Sequence, residues 1–365
     1  MLNIFKHAHF LPDAFGHGGN KRTAQIDYLL SAAGIEVKQA ELTNTIASGC
    51  KLSFYLSGLL HSTNLRTDNK TKYAIGRYKA IFDRFVQQYR PDIFIWESTI
   101  DYHLLLADVL YKHHIPVIAL PHNLESLVAG NKSVFSAKSS PQWMSEELDH
   151  LKLCKKVYTI SREEHWLLSN HGMNVAYLPY YPAPPAEKFL LEIRQKRSGK
   201  KNEPRKAERK ILLLGTFHNR PTITGYNELL RHIQTIKGIH IDIAGFGSEM
   251  LNDKWPAKNI RVWGSVDNDT LARLIVNADS AVVHQQPSSG ALTRIPELLI
   301  AGLPVIANIH AARSCDVSTG IMIYDGHDEL RTVLSSGNFT TPAVLNRPTE
   351  EHAFSNYIKT LIKEF

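Results

Sequence analysis

Residues 279–306 read DSAVVHQQPSSGALTRIPELLIAGLPVI. A short apolar run over 280–284 passes into a turn rich in Pro, Ser and Gly. A helical pattern over 292–301 follows, and after Gly302-Leu303-Pro304 a second apolar run starts at Val305. This order predicts a β-α-β crossover, and a crossover through a helix makes its two strands parallel.

The same alternation extends in both directions. Downstream of residue 210 it predicts strands at 211–214, 240–244, 260–262, 280–284 and 305–307, with helices at 222–236, 268–277 and 292–301. Upstream it predicts strands at 2–8, 92–96, 116–120, 156–160 and 175–178, with helices at 20–33, 75–89, 102–113 and 162–170. Two such series in 365 residues imply an α/β chain of two Rossmann-like domains facing each other across a cleft. Residues 1–182 form the first domain and residues 210–348 the second. Residues 183–209, rich in Pro, Lys and Glu, read as a basic linker. Residues 349–365 space Phe354, Tyr357, Ile358, Leu361 and Ile362 as a C-terminal amphipathic helix packing at the domain junction.

Composition narrows the function classes. With 43% hydrophobic and 21% charged residues the chain reads as globular, and its longest apolar runs fall short of the roughly 20 residues that span a bilayer. The N-terminus lacks the pattern of a secretory signal, and Cys50, Cys154 and Cys315 stand far apart, as free thiols of a reducing, cytoplasmic compartment do. The net charge of +7 is concentrated. Residues 181–210 hold 10 Lys and Arg against 4 Asp and Glu, while residues 1–180 carry +3 and residues 211–365 carry −2. No interleaved aromatic and basic stripe stands outside that stretch, so nucleic acid is not expected as a partner. An anionic membrane surface is a possible one, reached through the basic stretch and residues 51–60, KLSFYLSGLL.

Four segments carry chemistry. Gly16-His17-Gly18-Gly19-Asn20-Lys21-Arg22 follows the first strand and opens a helix, where free N–H groups favour an anion; its spacing is not that of a dinucleotide fingerprint. His122, in Leu120-Pro121-His122-Asn123, leaves the end of a strand and suits a hydroxyl or carbonyl partner. Thr216, His218, Asn219 and Arg220 form a strand-to-helix loop able to receive a diphosphate, with Pro221 at the first helical position. Within 279–306, the Ser288-Ser289-Gly290 turn reads as an anion cradle at the start of a helix, and Glu297 as a carboxylate for a ribose diol.

The ordered series of these segments with Ile160-Ser161…Glu164, Leu178-Pro179-Tyr180, Gly215-Thr216-Phe217, Ala244-Gly245-Phe246-Gly247, Val262-Trp263-Gly264-Ser265-Val266 and Glu297…Ala301-Gly302-Leu303-Pro304 resembles the B-type glycosyltransferases, nearest to family 4. The resemblance implies transfer of a sugar from a nucleotide-sugar donor to a glycan or lipid-linked acceptor in cell-surface polysaccharide or glycoconjugate synthesis. It further implies retention of configuration and neither metal nor other cofactor. Glu297 would hold the ribose; Ser288, Ser289, Gly290, Ala291 and Thr293 would line the phosphates and sugar; Gly245, Gly264, Ser265 and Val266 would lie near the nucleotide. Gly18 and Gly19 would approach the diphosphate, and His122 would face the donor sugar. The sequence departs from the family pattern twice: Ser289 stands where the first glutamate of E-x(7)-E belongs, and the phosphate-loop Lys is missing, with Arg220 and Arg294 as substitutes. Were transfer inverting instead, Asp13, His17, Asp101 and Glu125 are the candidate bases. A nucleotide-sugar epimerase of the same fold and an inactive nucleotide-sugar-binding adaptor are the alternatives.

Overall fold

The computed structural model describes residues 2–42, 51–61, 67–128, 130–135, 142–200, 208–217, 220–252, 254–255, 257–315 and 320–365. Two compact units divide the chain. Unit 1 comprises residues 1–11, 26–179 and 348–365, and unit 2 comprises residues 12–25 and 180–347.

Unit 1 contains the strands β1 (Ile4–His7), β2 (Lys38–Gln39), β3 (Ile93–Trp96), β4 (Val117–Ala119), β5 (Lys156–Thr159) and β6 (Val175–Tyr177). They pair in parallel in the order β2-β1-β3-β4-β5-β6. The helix α1 (Gly18–Ala32) begins among the residues of unit 2 and ends in unit 1; α2 (Lys51–His61), α3 (Asn69–Tyr89), α4 (Leu105–Lys112), α5 (Gln142–Leu151) and α6 (Arg162–Asn170) belong to unit 1. The strand period of two sorts each strand between two cores. Phe94 and Trp96 enter one with Phe82 and Leu106, whereas Ile93 and Ile95 enter the other with Ile26 and Leu30. Two helix starts are capped by side chains, with Asp68 accepting the Thr71 N–H at 2.8 Å at the start of α3, six residues before the expected start at 75, and Ser161 accepting the Glu164 N–H at 3.2 Å.

Unit 2 continues with α7 (Pro184–Lys200), β7 (Arg209–Leu214), α8 (Arg220–Ile233), β8 (Ile239–Ala244), β9 (Ile260–Gly264), α9 (Asn268–Asn277), β10 (Ser280–Val283), α10 (Arg294–Ile300), β11 (Val305–Asn308), α11 (Ile309–Ala312), β12 (Ile321–Tyr324) and α12 (His327–Ser336). All pairings are parallel, in the order β12-β11-β10-β7-β8-β9. Counted from β7 this is 3-2-1-4-5-6, the order of the dinucleotide-binding fold. Leu212, Ala281 and Val305 face α7, α9 and α10, and Ile211, Val282 and Ile306 face α8 and α12.

Three expectations need correction. Residues 184–200 are not a solvated linker but the helix α7, because Ala186, Leu190 and Ile193 line up on one face and bury themselves. Its arginines reach the exposed carbonyls at helix C-termini. Arg194 Nη1 donates to the Leu299 and Ile300 carbonyls at 2.9 and 3.1 Å, and Arg197 donates to those of Gly302 at 3.1 Å and Ala278 at 2.8 Å. Arg209 does the same for Leu334 and Ser335 at 2.8 and 2.7 Å. Second, the C-terminal helix, α13 (Thr349–Ile362), buries Phe354, Ile358 and Leu361 with Ile26, Tyr158 and Leu178 in the core of unit 1. Third, β2 and β12 escape the sequence reading: β2 is two exposed polar residues, and β12, IMIY, is half exposed. Cys154 and Cys315 are free thiols, and Cys50 lies outside the described residues.

Candidate active site

In parallel sheets a ligand crevice opens beyond the carboxyl ends of the strands where the strand order reverses. In unit 2 that point lies between β7 and β10. Arg294, the first residue of α10, stands against it: its Nη1 is 3.3 Å from the position a Cβ on Gly215 would take, and its Nη2 donates to Gln285 Oε1 at 3.4 Å. Gln285 is itself fixed by Asn308, which accepts its N–H at 3.1 Å and donates to its carbonyl at 2.9 Å. Arg294 Nε is buried with no hydrogen-bond partner among the described residues.

The neighbouring strand ends are packed so closely that side chains are excluded. Gly245, after β8, has φ 130°, and a Cβ there would fall 1.9 Å from the Gly215 carbonyl oxygen. At Gly264 a Cβ would fall 2.6 Å from Glu249 Oε1, which accepts the Ser265 N–H at 2.8 Å. Glu249 therefore shapes the Gly264-Ser265-Val266 loop, a role the sequence reading missed.

Glu297 is engaged at both carboxylate oxygens: Lys21 Nζ donates to Oε2 at 2.6 Å and the Tyr180 hydroxyl to Oε1 at 2.7 Å. Burial, and then the Glu297 charge, hold the Tyr180 phenol far above its ordinary range, so it is a committed donor. Arg22, fully buried beside them, donates to Gln25 Oε1 at 2.6 Å. Lys21, Arg22 and Tyr180 appear in the quoted motifs, but sequence reading gave them no role. Thr293 Oγ1 lies 3.5 Å from where a Cβ on Gly18 would sit, so the glycine loop approaches the start of α10.

The Ser-Ser-Gly turn stands before the helix rather than at its start. The chain turns at Gly290, φ 70°, before it enters α10 at Arg294, and Thr293 occupies the N-cap without a side-chain bond. The carbonyls of Ser289 and Gly290 accept from Arg313 Nη2 at 2.5 and 2.7 Å, so this turn is held as an acceptor, while the Ser289 hydroxyl is buried with no partner among the described residues. Ser288 and Ala291 lie in the same turn. Thr216 follows β7. His218 and Asn219 lie outside the described residues; Arg220 begins α8, and its side chain is likewise outside the description. Pro221 is accordingly the second residue of α8. Asp13 accepts the Phe15 N–H at 2.8 Å and His17 Nδ1 accepts the Gly19 N–H at 3.2 Å, which ties both to the shape of their own loop.

Unit 1 has its reversal between β1 and β3, and a cavity of about 370 Å³ lies there. His9 and Phe10 follow β1, Ser98 to Asp101 follow β3, and His122 follows β4. Lys6 is fully buried and pairs with Asp27 and, at 3.1 Å, with Glu97 Oε1; Glu97 Oε2 meets His122 Nε2 at 3.3 Å. A buried carboxylate with a cation on one side and an imidazole on the other orients His122, whose ring stacks on Phe10 at 5.4 Å. Glu125 accepts from the amides of Asn123 and Asn131, both at 2.8 Å, and burial pushes its carboxyl up. Behind it Glu147 accepts the N–H groups of Glu125 and Ser126 at 2.9 and 3.0 Å, and burial pushes its carboxyl up to about 7. Deeper still, His7 stacks on His103 at 4.9 Å; burial, then the His103 charge, lower the His7 imidazole to about 3.

Among the described residues no group of three or more His, Cys, Asp or Glu side chains is arranged to hold a metal ion. No helix among them is long and apolar enough to cross a membrane.

No protein-family model and no curated protein matches the chain. Solved structures do match. A sucrose-phosphate synthase from Thermosynechococcus elongatus superposes with a TM-score of 0.61 at 15% identity, over 92% of this chain and 90% of that one. A glycosyltransferase from Rickettsia africae gives 0.60 at 13% identity, over 92% and 88%. HepE from Anabaena, in complex with UDP and glucose, gives 0.54 at 12% identity, over 92% and 89%. The chain therefore has the GT-B fold of these enzymes, two Rossmann-like domains in series.

Proposed function

We propose that the protein is a glycosyltransferase that moves a sugar from a nucleotide-sugar donor bound by unit 2 to a hydroxyl acceptor bound by unit 1. The observation that carries this reading is that α10 begins with Arg294 against Gly215 at the strand-order reversal of unit 2 and carries, one turn later, Glu297 bound to Lys21. The structural neighbours, one of them in complex with UDP and glucose, support the same class of donor.

Each residue then has a task. Glu297, carrying two donors in the free protein, exchanges them for the two hydroxyls of a ribose. Arg294 and main-chain N–H groups neutralise the charge that grows on the departing diphosphate, with Lys21 a second cation beside them; one such preorganised donor contributes about 100- to 1,000-fold in rate. No metal is needed in this scheme, and retention of configuration with the phosphate oxygen taking the acceptor proton is the course we infer. His122, oriented by Glu97, presents a polar group to the sugars. Synthesis of a cell-surface polysaccharide or glycoconjugate at the inner face of the membrane is the setting we infer. Leu52, Leu56 and Leu60 of α2, exposed on one face beside Lys51, give the surface for a peripheral contact.

A thermal-shift screen with UDP, GDP, CMP and dTDP sugars tests the reading. One donor raises the melting temperature of the wild type, and the Arg294→Ala variant loses both the shift and at least 100-fold in turnover. An unchanged turnover in that variant contradicts the assignment. Ser289, in place of the expected glutamate, favours one second reading, an inactive nucleotide-sugar-binding adaptor. Slow hydrolysis of the bound donor counts against it.

A further inference from the structure

We propose that the unit 1 cavity is a specificity pocket for an uncharged, hydroxyl-rich sugar and rejects sugars carrying phosphate or carboxylate. As an acceptor site the pocket rests on the glycosyl-transfer reading; as a binding site it does not. Its volume of about 370 Å³ falls in the range of small-molecule pockets, about 300–1,000 Å³.

The charges decide the class of ligand. Phosphate and carboxylate are recognised by arginine forks or clustered lysines. No arginine lines this cavity, and Lys132 is its one lining lysine among the described residues. Lys6 does not help, because it is buried behind the wall between Asp27 and Glu97. Against Lys132 stand Asp101 at the rim and Glu125 in the wall. A phosphate ester would lose its hydration there with no arginine and a single lysine among the described lining residues to compensate.

The remaining groups suit a neutral sugar. Asn123 and Asn131 supply amides, each with one N–H already on Glu125, and the Asp101 carboxylate accepts from O–H groups, so hydroxyls find both donors and acceptors. Phe10 and Trp143 give the apolar surface on which the C–H face of a sugar ring rests. Asp101 holds a left-handed backbone, φ 48°, unusual for a residue other than glycine. Such strain persists where its surroundings enforce it, and here it keeps a carboxylate at the cavity mouth.

The test is binding by saturation-transfer NMR and calorimetry, with glucose, galactose and N-acetylglucosamine each set against its 6-phosphate, and glucose against glucuronic acid. At least one neutral sugar binds, and its charged counterpart binds at least tenfold more weakly. Asp101→Asn, which keeps a side chain tolerant of the left-handed backbone, narrows that ratio, and Lys132→Glu widens it. Opposite movements in two variants are not produced by misfolding. Failure of every neutral sugar to bind, a charged sugar bound as tightly as its parent, or a ratio indifferent to both substitutions overturns the proposal. Nucleotide-sugar binding, measured separately by thermal shift, reports on the glycosyl-transfer reading, so the two fail independently.

Discussion

Glu297 is readable from its neighbours because it follows a strand, a turn and a helix start within one stretch of sequence. Its partners are not. Tyr180 comes from 117 residues away and Lys21 from 276, and no local periodicity records such pairings. Lys21→Ala removes a charge-assisted bond worth about 1.5–3 kcal/mol to the free protein and a cation from the proposed donor site. We expect a lower melting temperature together with at least tenfold weaker nucleotide-sugar binding by calorimetry; unaltered affinity removes Lys21 from the site. His7 supplies a pH dependence. Its folded value of about 3 lies below the ordinary imidazole value of 6.5, so its contribution is complete above pH 6.5 and is lost as the pH falls toward 3, because only the unfolded chain takes up the proton readily. Each pH unit lost in that window costs roughly 1.4 kcal/mol. Urea denaturation at pH 7 and pH 5 is expected to show the decline, and His7→Phe to flatten it.

Among the elements, the buried strands are the most legible. β3, IFIW, is apolar throughout, as a strand covered on both faces must be, and the predicted strand near it differs by a single residue at one end. α7 is where composition misled. The Pro, Lys and Glu content reads as linker, yet Ala186, Leu190 and Ile193 recur at helical spacing, and that period was the signal to follow. Its arginines act as clamps on the C-termini of neighbouring helices. Arg197 is buried enough that its guanidinium is lowered to about 10, and it serves carbonyls on both Ala278 and Gly302. Arg197→Ala therefore leaves buried acceptors unsatisfied. The expected loss is about 2–3 kcal/mol in chemical denaturation, with Arg197→Lys recovering only part of it. A loss below about 0.5 kcal/mol would contradict the clamp.

For the whole molecule, the alternation of strands and helices announces two Rossmann-like series, but strand order is set by long-range pairing that sequence does not spell. That order matters because it fixes where each sheet reverses, and both candidate sites lie at those reversals. Hydrogen exchange offers a check on the division of labour. A nucleotide sugar is expected to slow exchange after β7 and β10, and a neutral sugar to slow it after β1, β3 and β4. Protection of the segments after β7 and β10 by a neutral sugar alone would contradict separate sites.

Neither half of the protein is a continuous piece of chain. Residues 12–25 belong with residues 180–347 rather than with the residues on either side of them, and residues 348–365 return to the unit built from the chain's beginning. Dissection by a single cut after Pro179 would strip the first fragment of Phe354, Ile358 and Leu361 and leave it with an open hydrophobic wound. Expression of either half alone calls for a grafted tail or a rewired loop, and a stop codon before the last helix would damage the opposite end of the gene's product.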